Sequence, residues 1–145
     1  MLDVQRATKK DLSAVMAIES RIFTMPWSLR SYEQLLELDT VHMWVVKQAE
    51  ELIAYMLFQV CDSEFELHNI GVAPEWQGKG VGTLLLQKLL TEAKQRNCRQ
   101  IFLQVRVSNE AAKLLYIKFG FEVVGIRPAY YQDDREDAYI MQYSA

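Results

Sequence analysis

The chain has 145 residues, of which half are hydrophobic and 24% charged, and its net charge is −3 at pH 7. This length and composition suit a single globular domain, which we place over residues 1–145. The acidic balance lacks the positive footprint of a nucleic-acid-binding protein and favours a basic partner, and no apolar run approaches the roughly 18 residues that a membrane span requires.

The first part of the chain predicts one strand followed by two helices. Residues 2–7 form the strand, and Thr8 caps a helix over residues 9–23 with apolar side chains at helical spacing. Ser28 caps a second helix that ends near residue 38. Both helices therefore precede the main run of strands.

The remaining elements alternate between strands and helices. Short polar links join three successive strands, which predicts an antiparallel meander. Helices then cross between strands in the second half, and this order implies an α/β fold with a mixed central sheet and flanking helices. The predicted strands cover 41–48, 52–60, 64–72, 100–105, 121–127 and 137–143, and the helices cover 80–97 and 108–119, with Gly120 as a left-handed terminator.

A glycine-rich segment joins the third strand of the meander to the long helix. Gly78, Gly80 and Gly82 occupy alternate positions, and a backbone without Cβ atoms can approach a ligand closely. The helix start behind them presents unpaired N–H groups and a positive dipole end, which suit a phosphate. We interpret the segment as an anion-binding loop for a phosphorylated cofactor; the alternative is a connection that binds no ligand. The spacing fits neither a Walker loop, because Gly follows Lys79, nor a dinucleotide fingerprint.

Five segments resemble one known family, the GNAT N-acetyltransferases, and in particular its RimI-type branch. Residues 77–82 (Q-G-K-G-V-G) resemble the acetyl-CoA loop, and residues 69–74 (N-I-G-V-A-P) resemble the strand before it. The branch pattern is also similar at 23–28 (F-T-M-P-W-S), 105–121 (V-R-V-S-N…L-Y…F-G-F) and 127–141 (R-P-A-Y-Y…E-D-A…M). The resemblance covers essentially the whole chain and implies a GNAT fold. RimI-type proteins acetylate the N-terminal alanine of a small-subunit ribosomal protein. The resemblance implies that activity, with acetyl-CoA as co-substrate and a basic protein N-terminus as partner.

The resemblance assigns the cofactor to two neighbouring segments. In the family, the strand end at Ile70, Gly71 and Val72 pairs with the pantetheine arm and directs an N–H group at the acetyl oxygen, which is oxyanion-type stabilisation. Asn109 matches an Asn that contacts the cofactor, although by itself it indicates only a polar residue in the first turn of a helix. Backbone N–H groups that would bind the pyrophosphate belong to Gly78, Lys79, Gly80, Val81, Gly82 and Thr83.

Tyr116 matches the general acid of the family. A phenol with a pKa of about 10 stays protonated at neutral pH and can donate a proton to a thiolate whose pKa is about 8.5. The alternative is an aromatic ring that packs between Ala112 and Phe119, one helical turn away on either side.

The general base is where the chain departs from the family pattern. Branch members typically have Glu at the position of Gln104, and an amide cannot accept the proton. Two carriers remain on the strand predicted over 64–72: Glu66, which resembles the base of histone-modifying relatives of the superfamily, and His68, whose type has an intrinsic pKa of about 6.5; we predict Glu66 as the base. By the two-residue alternation of a strand, these residues share one face with Glu64 and Ile70; the alternative is a solvated face without a role. An α-amine of pKa about 7.8 is about one-seventh neutral at pH 7, so a weak base fits an N-terminal substrate better than a lysine.

An acidic and aromatic loop follows the sixth predicted strand. We predict that it forms a rim for a basic peptide terminus, and its alternative is a solvated turn. Pro26 and Trp27 would form the opposite wall, unless they only pack between two helices. The candidate substrate-binding residues of the loop are Tyr130, Tyr131, Glu136 and Asp137.

Two further functions stay open on the same scaffold. One is acetylation of a small amine, and the other is an acetyl-CoA-binding subunit with little catalysis, motivated by Gln104. We expect no metal, because direct attack on the thioester needs none. Cys61 and Cys98 lack ligand spacing and fit reduced thiols. Residues 1–6 lack the basic-then-apolar order of a signal peptide, so we expect a cytoplasmic protein that binds neither membrane nor nucleic acid.

Overall fold

Seven strands form one mixed sheet in the computed structural model, which describes residues 1–145. The order across the sheet is β1-β2-β3-β4-β5-β7-β6, and only the β4–β5 pair is parallel. The predicted mixed sheet and the antiparallel meander β2–β3–β4 are therefore confirmed. The strands are β1 (Leu2–Arg6), β2 (Val41–Gln48), β3 (Glu51–Cys61), β4 (Glu64–Val72), β5 (Gln100–Arg106), β6 (Phe121–Arg127) and β7 (Ala138–Ser144).

Four α-helices cover the two faces of this sheet. They are α1 (Leu12–Ile22), α2 (Leu29–Leu36), α3 (Val81–Gln95) and α4 (Glu110–Lys118). The helices α1 and α2 pack on one face, and α3 and α4 pack on the other, so the domain has three layers with a core on each side of the sheet. None of these helices has the length and apolar character needed to cross a membrane.

The two cores differ in size. The larger one contains 19 buried residues under α3 and α4, and the smaller one contains 10 under α1 and α2. Since burying one large apolar side chain contributes about 1.5–3 kcal/mol, the α3 side carries most of the apolar stabilisation. Fully buried members of the larger core include Phe58, Phe65, Leu85 and Leu89, and those of the smaller core include Val15, Tyr32, Val45 and Leu57.

Several helix ends differ from the prediction by one turn or less. The helix predicted over 9–23 begins with a separate 3-10 turn at Lys9–Asp11, where the Asp11 carboxylate accepts the Thr8 N–H at 2.8 Å. The helix predicted from residue 80 begins one residue later, because Gly80 has a φ of +84°, outside the helical region. Gly120, with a φ of +96°, terminates α4 as predicted.

Strands β4 and β5 separate along their length, and this separation creates the site. They pair only where Glu64–Glu66 lies beside Gln100–Phe102. Beyond that point β4 continues along β3 to Val72, while β5 continues along β7 to Arg106. The facing edges therefore lack a strand partner and border a gap in the middle of the sheet.

A bulge at His68 changes which residues of β4 face each core. Phe58 pairs with Leu67, whereas the preceding Leu57 pairs with Asn69, so His68 is an extra residue in β4. A single extra residue shifts the alternation of all later side chains to the opposite face. Ile70 consequently packs against the larger core on the α3 side. The prediction that Ile70 shares a face with Glu66 is therefore wrong.

Candidate active site

The open edge of β4 presents two backbone donors to the gap. Ala73 N donates to Ile53 O at 2.8 Å, which fixes the phase of the β3–β4 ladder. Since inward and outward groups alternate in an antiparallel pair, the N–H of Gly71 points to β3, and those of Ile70 and Val72 point to the gap. The N–H of Ile70 donates to Oδ1 of its neighbour Asn69 at 3.1 Å, so an acyl oxygen or an extended polar chain in the gap would find the N–H of Val72 as the free donor.

The glycine-rich segment has the backbone conformation expected of an anion-binding loop. Gly78 and Gly80 have φ values of +75° and +84°, in the left-handed region that glycine adopts without steric cost. The first helical hydrogen bond of α3 runs from Leu84 N to Gly80 O at 3.1 Å. The N–H groups of residues 81–83 therefore have no partner within the helix and are available to an anion.

Two other loop residues have visible contacts. A Cβ atom added to Gly82 would lie 3.3 Å from Cδ2 of Leu115, so the absence of a side chain lets α3 and α4 approach. Lys79 is exposed, and its Nζ lies 5.3 Å from the centroid of the Trp76 ring. The same loop thus carries an exposed cation as well as the unpaired N–H groups. The residues present fit a pyrophosphate group such as that of acetyl-CoA.

Tyr116 lies on α4 in the larger core and is 6% exposed. No protein group forms a hydrogen bond with the Tyr116 hydroxyl. This hydroxyl is not sealed from solvent, because Trp44 Nε1 is the single side-chain polar atom that is both buried and without a partner. Burial raises the pKa of Tyr116 above the usual value of a phenol, and the neighbouring Tyr131 raises it further. The hydroxyl is therefore a protonated donor at neutral pH, as its predicted role requires.

The candidate base and the substituted position face the same cleft. Glu66 and Gln104 line a cavity of about 220 Å³ on the sheet face opposite α4, together with Glu64. The side chain of Glu66 is 48% exposed, and one of its oxygens lies 3.9 Å from Nδ1 of His68. Nε2 of His68 is 2.9 Å from Oε1 of Gln59. The predicted acid and base thus lie on opposite faces of the sheet, and the gap between β4 and β5 connects the two faces.

Arg106 organises the loop between β6 and β7. Its guanidinium lies 2.8 Å from a carboxylate oxygen of Asp133, 2.9 Å from one of Asp134 and 3.2 Å from one of Glu136. It also stacks 4.0 Å from the ring centroid of Tyr131. The hydrogen bonds of Arg106 hold the pKa of Asp133 down at about 2, and burial raises the pKa of Tyr131 to about 12. One cation from β5 thus holds three carboxylates of the loop together, and the loop keeps a net negative charge.

The carboxylates predicted to bind substrate also have partners in the loop. Glu136 accepts the N–H of Ser108 at 2.7 Å, and Asp137 accepts the N–H of Ala129 at 2.8 Å. Both side chains thus maintain the loop. Tyr130 is 41% exposed and packs edge-on against Tyr131, with 5.0 Å between ring centroids. The loop accordingly presents an aromatic surface beside Tyr116.

Asn109 has the structural role that its position alone suggested. It is the N-cap of α4, and its Oδ1 accepts the N–H of Ala112 at 3.2 Å. The residue is exposed, so its side-chain NH₂ group remains accessible from solvent. Capping and a ligand contact through the other end of the amide are compatible.

The segment before α2 borders an open groove. Pro26, Trp27, Leu35 and Leu38 line this groove, which has a volume of about 700 Å³. The Trp27 ring lies 5.2 Å from the ring of Tyr32, and Trp27 N donates to a carboxylate oxygen of Glu19 at 3.0 Å. Trp27 therefore packs against the smaller core and also lines the groove, whereas Pro26 is exposed.

A buried carboxylate at Glu19 is the main feature of the site that the sequence interpretation missed. Glu19 is fully buried and accepts hydrogen bonds from Tyr32, Tyr55 and Asn69. The available signal was its position seven residues after Leu12, on the apolar stripe of α1.

In the described residues, which comprise the whole chain, no group of three or more His, Cys, Asp or Glu side chains is arranged to hold a metal ion.

Comparisons with known proteins agree with this architecture. The model of the Acetyltransferase (GNAT) family matches residues 12–121. The ribosomal protein bS18-alanine N-acetyltransferase of Escherichia coli (strain K12) is 37% identical over 138 residues, which cover 90% of this chain and 89% of that protein. The N-alpha-acetyltransferase RimI of Mycobacterium tuberculosis (strain H37Rv) is 33% identical over 141 residues, which cover 93% and 87% of the two chains.

Solved structures show the same fold. The crystal structure of the ribosomal-protein-S18-alanine N-acetyltransferase from Escherichia coli superposes with a TM-score of 0.93 at 34% identity, covering 99% of this chain and 94% of that one. Ard1 from Thermoplasma volcanium superposes with a TM-score of 0.91 at 22% identity, which shows the fold alone. Since the family model spans most of the chain and the relatives align along nearly their whole length, this chain belongs to the GNAT acetyltransferase family.

Proposed function

We propose that this enzyme transfers an acetyl group from acetyl-CoA to the N-terminal α-amine of ribosomal protein bS18, at an alanine. The observation that carries the proposal is the Escherichia coli relative named for this activity, which is 37% identical over 90% of the chain. The open edge of β4 and the unpaired N–H groups at the start of α3 support the same proposal. A cytoplasmic location follows from a ribosomal substrate.

Acetyl-CoA supplies an activated thioester, and two backbone regions of this chain would hold it. The unpaired N–H groups of residues 81–83 suit the pyrophosphate, with Lys79 in the same loop. The N–H of Val72 faces the gap and is free to stabilise negative charge on the acetyl oxygen, whereas the N–H of Ile70 is shared with Oδ1 of Asn69. Gly71 contributes by its small size, because Tyr55 occupies the space that a side chain would need.

The acceptor amine would attack the thioester directly, without an acyl-enzyme. Tyr116 would donate its proton to the departing thiolate, for which its buried ring and unbound hydroxyl are suited. Glu66 would accept the proton of the amine, directly or through water, since it lines the same cleft as Gln104. Gln104 would orient the amine or a water molecule by hydrogen bonds. Tyr130, Tyr131 and the groove at Trp27 would contact the peptide on either side.

The experiment that tests the proposal measures acetyl-CoA turnover on a short basic peptide that begins with Ala. The control is the same peptide with a blocked N-terminus and all its lysines retained. We expect turnover only with the free terminus. Acetylation of the blocked peptide would contradict α-amine specificity.

Gln104 lines the cleft, and its amide cannot accept a proton from the amine. This observation favours a second candidate function, an acetyl-CoA-binding subunit with little catalysis. Acetyl-CoA binding without turnover of any N-terminal peptide would favour that function. Turnover of a polyamine or another small amine, with no activity on peptides, would instead favour a small-amine acetyltransferase. The same assay with three acceptors therefore separates the functions.

A further inference from the structure

Glu19 places a carboxylate in the smaller core, between the helices α1 and α2 and the sheet. Its side chain is fully buried, and no Lys, Arg or His forms an ion pair with it. An ionised carboxylate in such a place needs several hydrogen-bond donors to offset its desolvation. Glu19 has four of them, which come from four separate parts of the chain.

The two carboxylate oxygens hold different parts of the proposed site. Oε2 accepts the backbone N–H of Trp27 at 3.0 Å, in the segment that borders the groove. Oε1 accepts the hydroxyls of Tyr32 and Tyr55 at 2.6 and 2.5 Å and the side-chain amide of Asn69. One oxygen is thus bonded to the proposed peptide wall, and the other to the strand that borders the gap.

Asn69 and Tyr55 link Glu19 to the open edge of β4. Asn69 Nδ2 also donates to the Tyr32 hydroxyl at 2.7 Å, which sets the orientation of the amide. Asn69 Oδ1 therefore points the other way and accepts the N–H of Ile70 at 3.1 Å, at the gap. The Tyr55 hydroxyl lies 2.5 Å from where a Cβ of Gly71 would be, so the ring braces the backbone of β4.

We propose that Glu19 is a positioning residue that holds the peptide wall at Trp27 and the acetyl-binding end of β4 in one fixed relative geometry. This inference rests on the proposed function, since it takes these segments as the two substrate walls. A core that served stability alone would be filled as well by apolar side chains of similar volume. The four donors instead meet where two site segments 42 residues apart, at positions 27 and 69, come together.

The substitution Glu19→Gln tests the hydrogen bond to Trp27 separately from the hydrogen bonds at Oε1. An amide offers one acceptor oxygen, which must face the three donors at Oε1, so its NH₂ group faces the N–H of Trp27. The bond to Trp27 is then replaced by two opposed donors. We expect the KM for the peptide to rise about tenfold, the loss of one hydrogen bond to a charged group, with the Kd of acetyl-CoA changed by less than about twofold.

Val15→Ala is the matched control, because Val15 is also fully buried on α1, one turn before Glu19, and lies outside this network. It should lower the Tm as much as Glu19→Gln or more, and leave the KM for the peptide unchanged. Equal changes of KM in both variants would overturn the proposal. A second variant, Tyr55→Phe, keeps the ring and removes the hydroxyl that donates to Oε1 of Glu19 and lies against Gly71; we expect a lower kcat with the KM for the peptide unchanged. An unchanged kcat would contradict the proposed link between Glu19 and β4.

Hydrogen exchange of the free protein provides a readout that needs no turnover. Glu19→Gln should reduce the protection of amides in residues 24–28, and Tyr55→Phe that of the Gly71 amide, which points to β3, beyond any change that Val15→Ala causes there. Protection equal to that of the control would overturn the positioning role. If the variants lose protection as expected but the wild-type enzyme acetylates no peptide, the proposed function is contradicted and the structural role of Glu19 is not.

Discussion

Tyr116 is the residue at which burial and chemistry are most closely coupled. Its ring packs 5.7 Å from that of Phe121, while no protein group binds its hydroxyl. We predict that Tyr116→Phe keeps the packing and lowers kcat by about a hundredfold, because the thiolate loses its proton donor. Steady-state kinetics give kcat, and a direct titration of acetyl-CoA should show an unchanged Kd. A variant with the kcat of the wild type would exclude Tyr116 as the acid.

At the same scale, Glu66 has a natural control on its own strand. Glu64 and Glu66 are both exposed carboxylates of β4 that line one cleft. We predict that Glu66→Gln flattens the acidic limb of the pH–rate profile, since that limb reports protonation of the base. Glu64→Gln should retain the limb, since it removes the same charge two residues away. Identical profiles for both variants would show that neither carboxylate is the base.

At the scale of elements, Arg106 joins β5 to the loop between β6 and β7. The pKa of Asp133 lies at about 2, below its ordinary value, because Arg106 favours the ionised carboxylate. A lowered pKa means that the stabilisation is complete above the unfolded pKa of about 3.9 and is lost as the pH falls through about 2. We predict that Asp133→Asn lowers the Tm near neutral pH, and that its difference from the wild type shrinks towards about pH 2.

Thermal unfolding between about pH 2 and pH 7 measures this difference. Asp39→Asn is a suitable control, because Asp39 is exposed and forms no ion pair. Its Tm should follow the wild type at every pH. A constant gap between Asp133→Asn and the wild type down to the lowest pH would show that the pair with Arg106 does not stabilise the loop.

At the scale of the whole molecule, the separation of β4 and β5 leaves the centre of the sheet partly unpaired. A ligand that occupies the gap would bond to the edge of β4 and contact both halves of the domain. We predict that acetyl-CoA raises the free energy of unfolding by about 2.7 kcal/mol at a hundred times its Kd. The measurement is the Tm against acetyl-CoA concentration, with ADP at the same concentrations as a control that retains the pyrophosphate and lacks the pantetheine arm. An equal effect of ADP would place the stabilisation at the anion loop alone.

The sequence by itself determined the features that depend on near neighbours. Alternating glycines before an amphipathic stretch predicted the loop and the start of α3, and Ser28 and Asn109 cap α2 and α4 as their residue types suggest. The meander β2–β3–β4 followed from strand patterns and short links. These features were predictable because the groups that interact are a few residues apart.

Only the tertiary structure decided what joins distant segments. The bulge at His68 exists through the pairing of β4 with β3, so no local pattern showed that Ile70 faces the α3 side. Arg106 binds carboxylates 27–30 residues later in the chain, and these contacts hold the predicted acidic rim in a fixed conformation. Glu19 and Asn69 meet across 50 residues. Such contacts depend on how whole elements pack, and that geometry is absent from any short stretch of sequence.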